Sequence, residues 1–193
     1  MSKGFKTFCV ILIIIMLSVG LGILAQNFKD KYDIASHPKP AEYSGFVEKY
    51  ATKYKIPENI CYAVIKCESS FDSAAKSSSG AIGLMQIMPD TFSYLCTLTG
   101  DDYETGMLYD PETNIRFGIF YLSLLYERFG VWETVFAAYN CGPTRVDEWI
   151  DSGKVDESGR LTEIPISETA EYVKRVTSAI EKYEKIYQQT GEI

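Results

Sequence analysis

The sequence predicts an all-α domain carried behind an N-terminal transmembrane helix. Three observations predict it. Residues 8–25, "FCVILIIIMLSVGLGILA", contain no charged side chain. Beyond them, apolar residues recur at i, i+3 and i+4 in one segment after another, the mark of helices with one face in a core. No stretch shows convincing strand character.

Eighteen residues rise ~27 Å as a helix, close to the ~30 Å hydrocarbon thickness of a bilayer. Lys3 and Lys6 precede the run, so residues 1–25 read as an uncleaved, single-pass anchor with its N-terminus in the cytoplasm. The competing reading is a signal peptide removed on export. "ILA" before Gln26 offers a cleavage site, but Ile23 is large for its third-last position, and a signal's apolar region usually spans about 7–15 residues. Both readings put the remainder outside the cytoplasmic membrane, tethered in one case and secreted in the other. Cys9 stands near the start of the run rather than at its end, which argues against a lipoprotein.

Residues 26–40 hold three lysines, two prolines and no apolar period, and read as an extracytoplasmic linker. Residues 41–193 form the domain. "AEYSGFVEKYATKYKI" sets Phe46, Val47, Tyr50 and Tyr54 at helical spacing. "PENICYAVIKCESSF" opens with Pro57 at a first-turn position and Glu58 near the positive end of a helix. "DSAAKSSSGAIGLMQIM" is rich in serine and glycine and reads mostly as loop. "PDTFSYLCTLTG" is a short helix between a proline and Gly100. "PETNIRFGIFYLSLLYERFG" is the clearest helix, with Ile115, Ile119, Leu122, Tyr126 and Phe129 as its stripe and Gly118 on the same face. "VWETVFAAYNCGP" is apolar nearly all round, as a central core helix is. The last helix starts at Ser167, buries Val173, Val176, Ile180, Tyr183 and Tyr187, and ends at Gly191.

Without the two N-terminal lysines the chain carries 17 basic and 26 acidic residues, a net charge of −9. Such a surface repels phosphate backbones and excludes nucleic acid as a partner. Four cysteines follow the anchor, Cys61, Cys67, Cys96 and Cys141. They permit three pairings, but a domain of this size folds without staples, and they read as core thiols. The single histidine, His37, stands alone in the linker, so no metal site is implied.

Ile60, Val64 and Glu68 are spaced i, i+4, i+8, so a carboxylate takes the next place on an otherwise apolar helix face. Lost hydration there favours the neutral acid and raises its pKa. A carboxylic acid still protonated near neutral pH can donate a proton to a leaving oxygen. Read alone, Glu68 is equally a core glutamate satisfied by hydrogen bonds. Gln86, in "SSSGAIGLMQIMP", offers donor and acceptor to hydroxyls and N-acetyl amides, and Gly80 and Gly83 would let backbone approach a ligand. Tyr139 and Asn140 end an apolar helix before a Gly-Pro break. Ser167 and Glu168 read by themselves as a helix cap with a first-turn charge.

In this order, "ESSF", "GAIGLMQIMP", "AAYNCGPTRV" and "IPISETAEYVKRV" resemble the lytic transglycosylases of the SLT-domain family, related to goose-type lysozyme. The likeness covers roughly residues 44–187. It implies a lysozyme-like helical fold acting on peptidoglycan glycan strands, at the β-1,4 bond between N-acetylmuramic acid and N-acetylglucosamine. It also implies non-hydrolytic cleavage that leaves a 1,6-anhydro end, with Glu68 as catalytic acid and then base and with no cofactor. By the same likeness Ser77, Met85, Gln86, Tyr139, Asn140, Glu168 and Tyr172 contact the substrate. Two departures stand out: Cys141 replaces a common alanine, and "SSFD" lacks the proline that often follows this motif.

Alternatives remain open at this level. A muramidase would use water and a second carboxylate ~5–9.5 Å from the acid, for which Asp72 and Glu168 are the candidates. Asp72 falls where the helix is expected to stop, near Phe71, and reads as a turn residue. A non-catalytic peptidoglycan-binding module of an envelope assembly is the reading from a different class, and an intact Glu68 with all four motifs argues against it. The small size suits local wall opening for a secretion, conjugation or sporulation assembly, by analogy only.

Overall fold

The computed structural model describes residues 3–190. Two compact units part between Pro38 and Lys39.

The first unit is one helix, α1 (Lys3–Ser36). Its large apolar side chains from Ile14 to Leu24 are all more than half exposed, reaching 68% at Leu21. Among the described residues no helix is long and apolar enough to cross a membrane. Met1, Ser2 and several side chains of the proposed span, at positions 8–10, 12 and 13, lie outside the described residues. The expected linker is itself helical as far as Ser36. Its lack of an apolar period does not prevent this, because extending an existing helix adds a backbone bond per residue without a new nucleus. Gln26 Nε2 donates to Asp30 Oδ1 at 2.8 Å on that stretch, an i,i+4 pair.

The second unit is helical, with isolated bridges but no strand among the described residues. Its helices are α2 (Ala41–Tyr54), α3 (Glu58–Ser69), α4 (Pro89–Thr99), α5 (Pro111–Phe129), α6 (Trp132–Cys141), α7 (Pro143–Asp151) and α8 (Ser167–Thr190). Helix α6 packs on α5 and α8, α3 on α8, and α2 on α5. The run Thr134–Ala138 of α6 is buried throughout, so the all-round apolar sequence does mark the central helix. The residue expected to end α8, Gly191, lies outside the described residues.

Two elements lack a counterpart in the sequence reading. Helix α7 begins where a Gly-Pro break suggested only an ending. Pro143 occupies its first turn, where a missing N–H costs nothing, and Val146 and Trp149 are its buried anchors. A 3-10 turn, Thr105–Tyr109, buries Leu108 completely. Both are too short for periodicity to register.

Helix α3 stops after Ser69 because Ser70 and Phe71 both take positive φ (52° and 70°). Asp72 is therefore off the helix, and its carboxylate accepts from Ala74 N at 2.9 Å in a local turn. The loop that follows, residues 72–88, is held by Asn114 of α5. This buried amide accepts from Met85 N at 2.7 Å and donates to Ile82 O at 2.9 Å and Leu108 O at 2.8 Å.

Candidate active site

Glu68 sits in the last turn of α3, on the side facing α8. Tyr172, buried in α8, donates its hydroxyl to Glu68 Oε1 at 2.5 Å. Burial among protein atoms pushes the carboxyl up to about 7, and the Tyr172 hydrogen bond and the Arg175 charge pull in the opposite direction. Desolvation thus wins over both stabilising partners, and the acid is about half protonated at neutrality. The helix end holds this geometry. Ser69 Oγ donates to Leu84 O at 2.8 Å and accepts from Phe71 N at 3.1 Å, tying the turn after Glu68 to the loop.

The loop brings Met85 and Gln86 beside the end of α6. Tyr139 donates its hydroxyl to Met85 O at 2.7 Å, and its own pKa is raised first by burial and then by the Glu68 charge. Met85 is fully buried against Gly118 of α5, where an added Cβ would overlap its sulfur. Gln86 has φ 47°, and its Nε2 donates to Gly83 O at 2.9 Å and Ala75 O at 3.2 Å. The backbone conformation is unusual for a residue other than glycine, and these bonds oppose its strain.

Gln86, Tyr139 and Asn140 line one cavity of about 330 Å³, together with Met88, Thr91 and Tyr121. Asn140 is exposed there, and its Oδ1 accepts from Thr169 Oγ1 at 2.7 Å, joining the ends of α6 and α8. Ser77 closes its own turn, with Oγ accepting from Ala81 N at 3.0 Å. Glu168 is exposed in the first turn of α8. The structure thus joins Glu68 to Tyr172, Tyr139 to Met85, and Gln86 to Asn140 across the cavity, whereas Ser77 is held by its own turn. Gly83 differs from its expected role. Its φ is +77° and a Cβ would overlap Asn114 and Leu108 O, so packing within the protein demands the glycine.

Among residues the sequence reading passed over, Asn114 and Arg175 matter most. Asn114 had a legible signal, an amide one helical turn before Gly118 on a core face. Arg175 had none, since it is exposed and acts only through its distance from Glu68 and Tyr172. Among the described residues no cluster of His, Cys, Asp or Glu is arranged to hold a metal. Cys61, Cys67, Cys96 and Cys141 carry free thiols.

A family model described as the transglycosylase SLT domain matches residues 45–159, more than half of the chain. The chain belongs to this family. The soluble lytic murein transglycosylase of Escherichia coli K12 is 39% identical to it over 143 residues, covering 71% of this chain and 22% of that protein. The membrane-bound lytic murein transglycosylase C of Actinobacillus pleuropneumoniae serotype 5b is 30% identical over 166 residues, covering 74% and 46%. The crystal structure of the 70 kDa soluble lytic transglycosylase of Escherichia coli matches with a TM-score of 0.69 at 37% identity, over 76% of this chain and 25% of that one. An inactive variant of the lytic transglycosylase Slt of Pseudomonas aeruginosa, with one glutamate changed to glutamine, matches at 0.66 and 31%. The SLT domain of this chain therefore spans less than half the length of these relatives, and its all-helical fold is the one they share.

Proposed function

We propose that this SLT domain is a peptidoglycan lytic transglycosylase. The observation that carries the reading is Glu68, a carboxyl brought to about 7 by burial and oriented by the Tyr172 hydroxyl. Protonated Glu68 gives its proton to the glycosidic oxygen, and the bond from that oxygen to C1 of N-acetylmuramic acid breaks. The C6 hydroxyl of the same sugar then bonds to C1 and returns its proton to the Glu68 carboxylate. The products are a free N-acetylglucosamine 4-hydroxyl and a 1,6-anhydro end, and no water is consumed. The turn-capping role of Asp72 leaves it poorly suited to serve as a second catalytic carboxylate, and Glu168, exposed in the first turn of α8, is the other candidate.

Ser77, Met85, Gln86, Tyr139, Asn140, Glu168 and Tyr172 form the substrate site in this reading. Met85 does so through the backbone that Tyr139 holds. Residues 1–25 anchor the chain with its N-terminus in the cytoplasm and the domain outside. The exposed apolar side chains of α1 support this, since in water they would remain hydrated at a cost of ~25 cal/mol per Å². A role in local wall opening within a secretion, conjugation or sporulation assembly belongs to this reading by analogy. If the anchor is retained, the full-length chain stays in the membrane pellet after alkaline carbonate extraction. Recovery of all of it in the supernatant would refute the anchor.

Mass spectrometry of muropeptides released from purified peptidoglycan tests the reaction. Anhydro-muramyl ends are expected, and reducing ends would make the enzyme a hydrolytic muramidase. The pH dependence follows from Glu68. The acid must be protonated at the start of the cycle, so kcat/KM falls as pH rises through about 7. In Tyr172→Phe the carboxylate loses a stabilising hydrogen bond, its pKa rises, and the alkaline limb moves to higher pH while the plateau rate drops. A limb that stays in place would show that Glu68 does not set it.

A further inference from the structure

Helix α4 buries Phe92, Leu95 and Cys96, the i, i+3, i+4 pattern of a core face. Its outer face carries two large apolar residues that the core does not use, Tyr94 at 57% and Leu98 at 48% exposure. Single exposed apolar residues need no explanation, but Tyr94 continues a lined surface. Met88 and Thr91, at the start of the same helix, line the cavity that Gln86 and Asn140 share with Tyr121 and Tyr139. Tyr94 follows Thr91 at i+3, about 4.5 Å further along the same side of the helix. Tyr94 therefore continues, one turn on, the side of α4 whose Thr91 lines the cavity, and the cavity also holds a pair of rings, Tyr121 and Tyr139, 5.4 Å apart.

The occupant follows from the substrate. A cavity of about 330 Å³ is at the small end of ligand sites, and a polymer seated in it must run on past its mouth. A strand that continues along α4 meets the exposed ring of Tyr94, which suits the C–H face of a pyranose ring, while the phenol offers a donor and acceptor to hydroxyls and N-acetyl groups. We infer that Tyr94 is a stacking platform for a sugar of the glycan strand beyond those at the cleaved bond, so that it selects for strand length. This rests on the transglycosylase reading for its substrate, and its test does not need the reaction.

The experiment measures binding of peptidoglycan glycan strands, fractionated by length, to the full chain bearing Glu68→Gln. Against that parent, Tyr94→Ala is expected to weaken binding of long strands about five- to tenfold and leave the shortest binding strands unchanged, and Tyr94→Phe restores the affinity. In the active enzyme, Tyr94→Ala raises KM for long strands by the same factor with kcat unaltered. Equal affinity of the alanine variant and its parent for long strands overturns the platform, as does an equal loss at every length. A parent that binds no strand overturns the platform and the substrate assignment together. Reducing ends, or no cleavage despite length-dependent binding through Tyr94, would refute the transglycosylase reaction alone.

Discussion

Glu68→Gln is expected to abolish release of anhydro-muramyl ends, a loss of at least ~10²–10⁴-fold, the range typical of a general acid. The amide matches the carboxyl in shape and still accepts from Tyr172, so the site geometry is kept while the transferable proton is removed. The same variant makes a second prediction of opposite sign. Burial raises the folded-state pKa of Glu68 from 4.5 to about 7. Between those values the folded protein binds more protons than the unfolded chain, so stability falls as pH rises across that window. Above pH 7 the wild type holds a buried charge that glutamine lacks. Denaturant unfolding at pH 8 is expected to find Glu68→Gln more stable by ~1–3 kcal/mol, with the advantage fading as pH approaches 4.5. An inactive variant that is also less stable at pH 8 would mean that Glu68 is structural and that the lost activity reflects a damaged fold.

Asn114→Leu is expected to cost at least ~3 kcal/mol and to lower Tm by about 10 °C, because leucine has the same branched shape but is bulkier and cannot bond. Met85 N, Ile82 O and Leu108 O each lose a partner inside the protein. The damage should extend to catalysis. Met85 O is where Tyr139 docks, and the following residue, Gln86, depends on the same loop for its strained backbone. Calorimetry gives the first effect. For the second, kcat/KM measured well below the melting transition should fall at least tenfold. Unchanged activity in the folded variant would show that the loop keeps its shape without the amide.

Much of this is legible in the sequence. The helical stripes of α2, α3, α5 and α8 are visible because each helix shows one face to a core and the period of 3.6 repeats often enough to stand out. Glu68 was conspicuous because it interrupts such a face. The short elements were not legible. Helix α7 hid behind a Gly-Pro pair that serves both to end α6 and to begin a new helix. The helical continuation of α1 to Ser36 was hidden because its stability comes from the turn before it and not from its composition.

By itself, then, the sequence determined the helical class, the order of the motifs and the one carboxylate that interrupts an apolar helix face, all properties of local pattern and side-chain chemistry. Only the tertiary structure decided that Glu68 meets Tyr172, 104 positions away, and that Asp72 leaves the helix. It also decided that Gly83 is required by Asn114, and that Tyr139 holds the loop through Met85. The reason is physical. A pKa, a hydrogen bond and a forbidden Cβ depend on which atoms come within a few ångströms, and those atoms come from helices far apart along the chain.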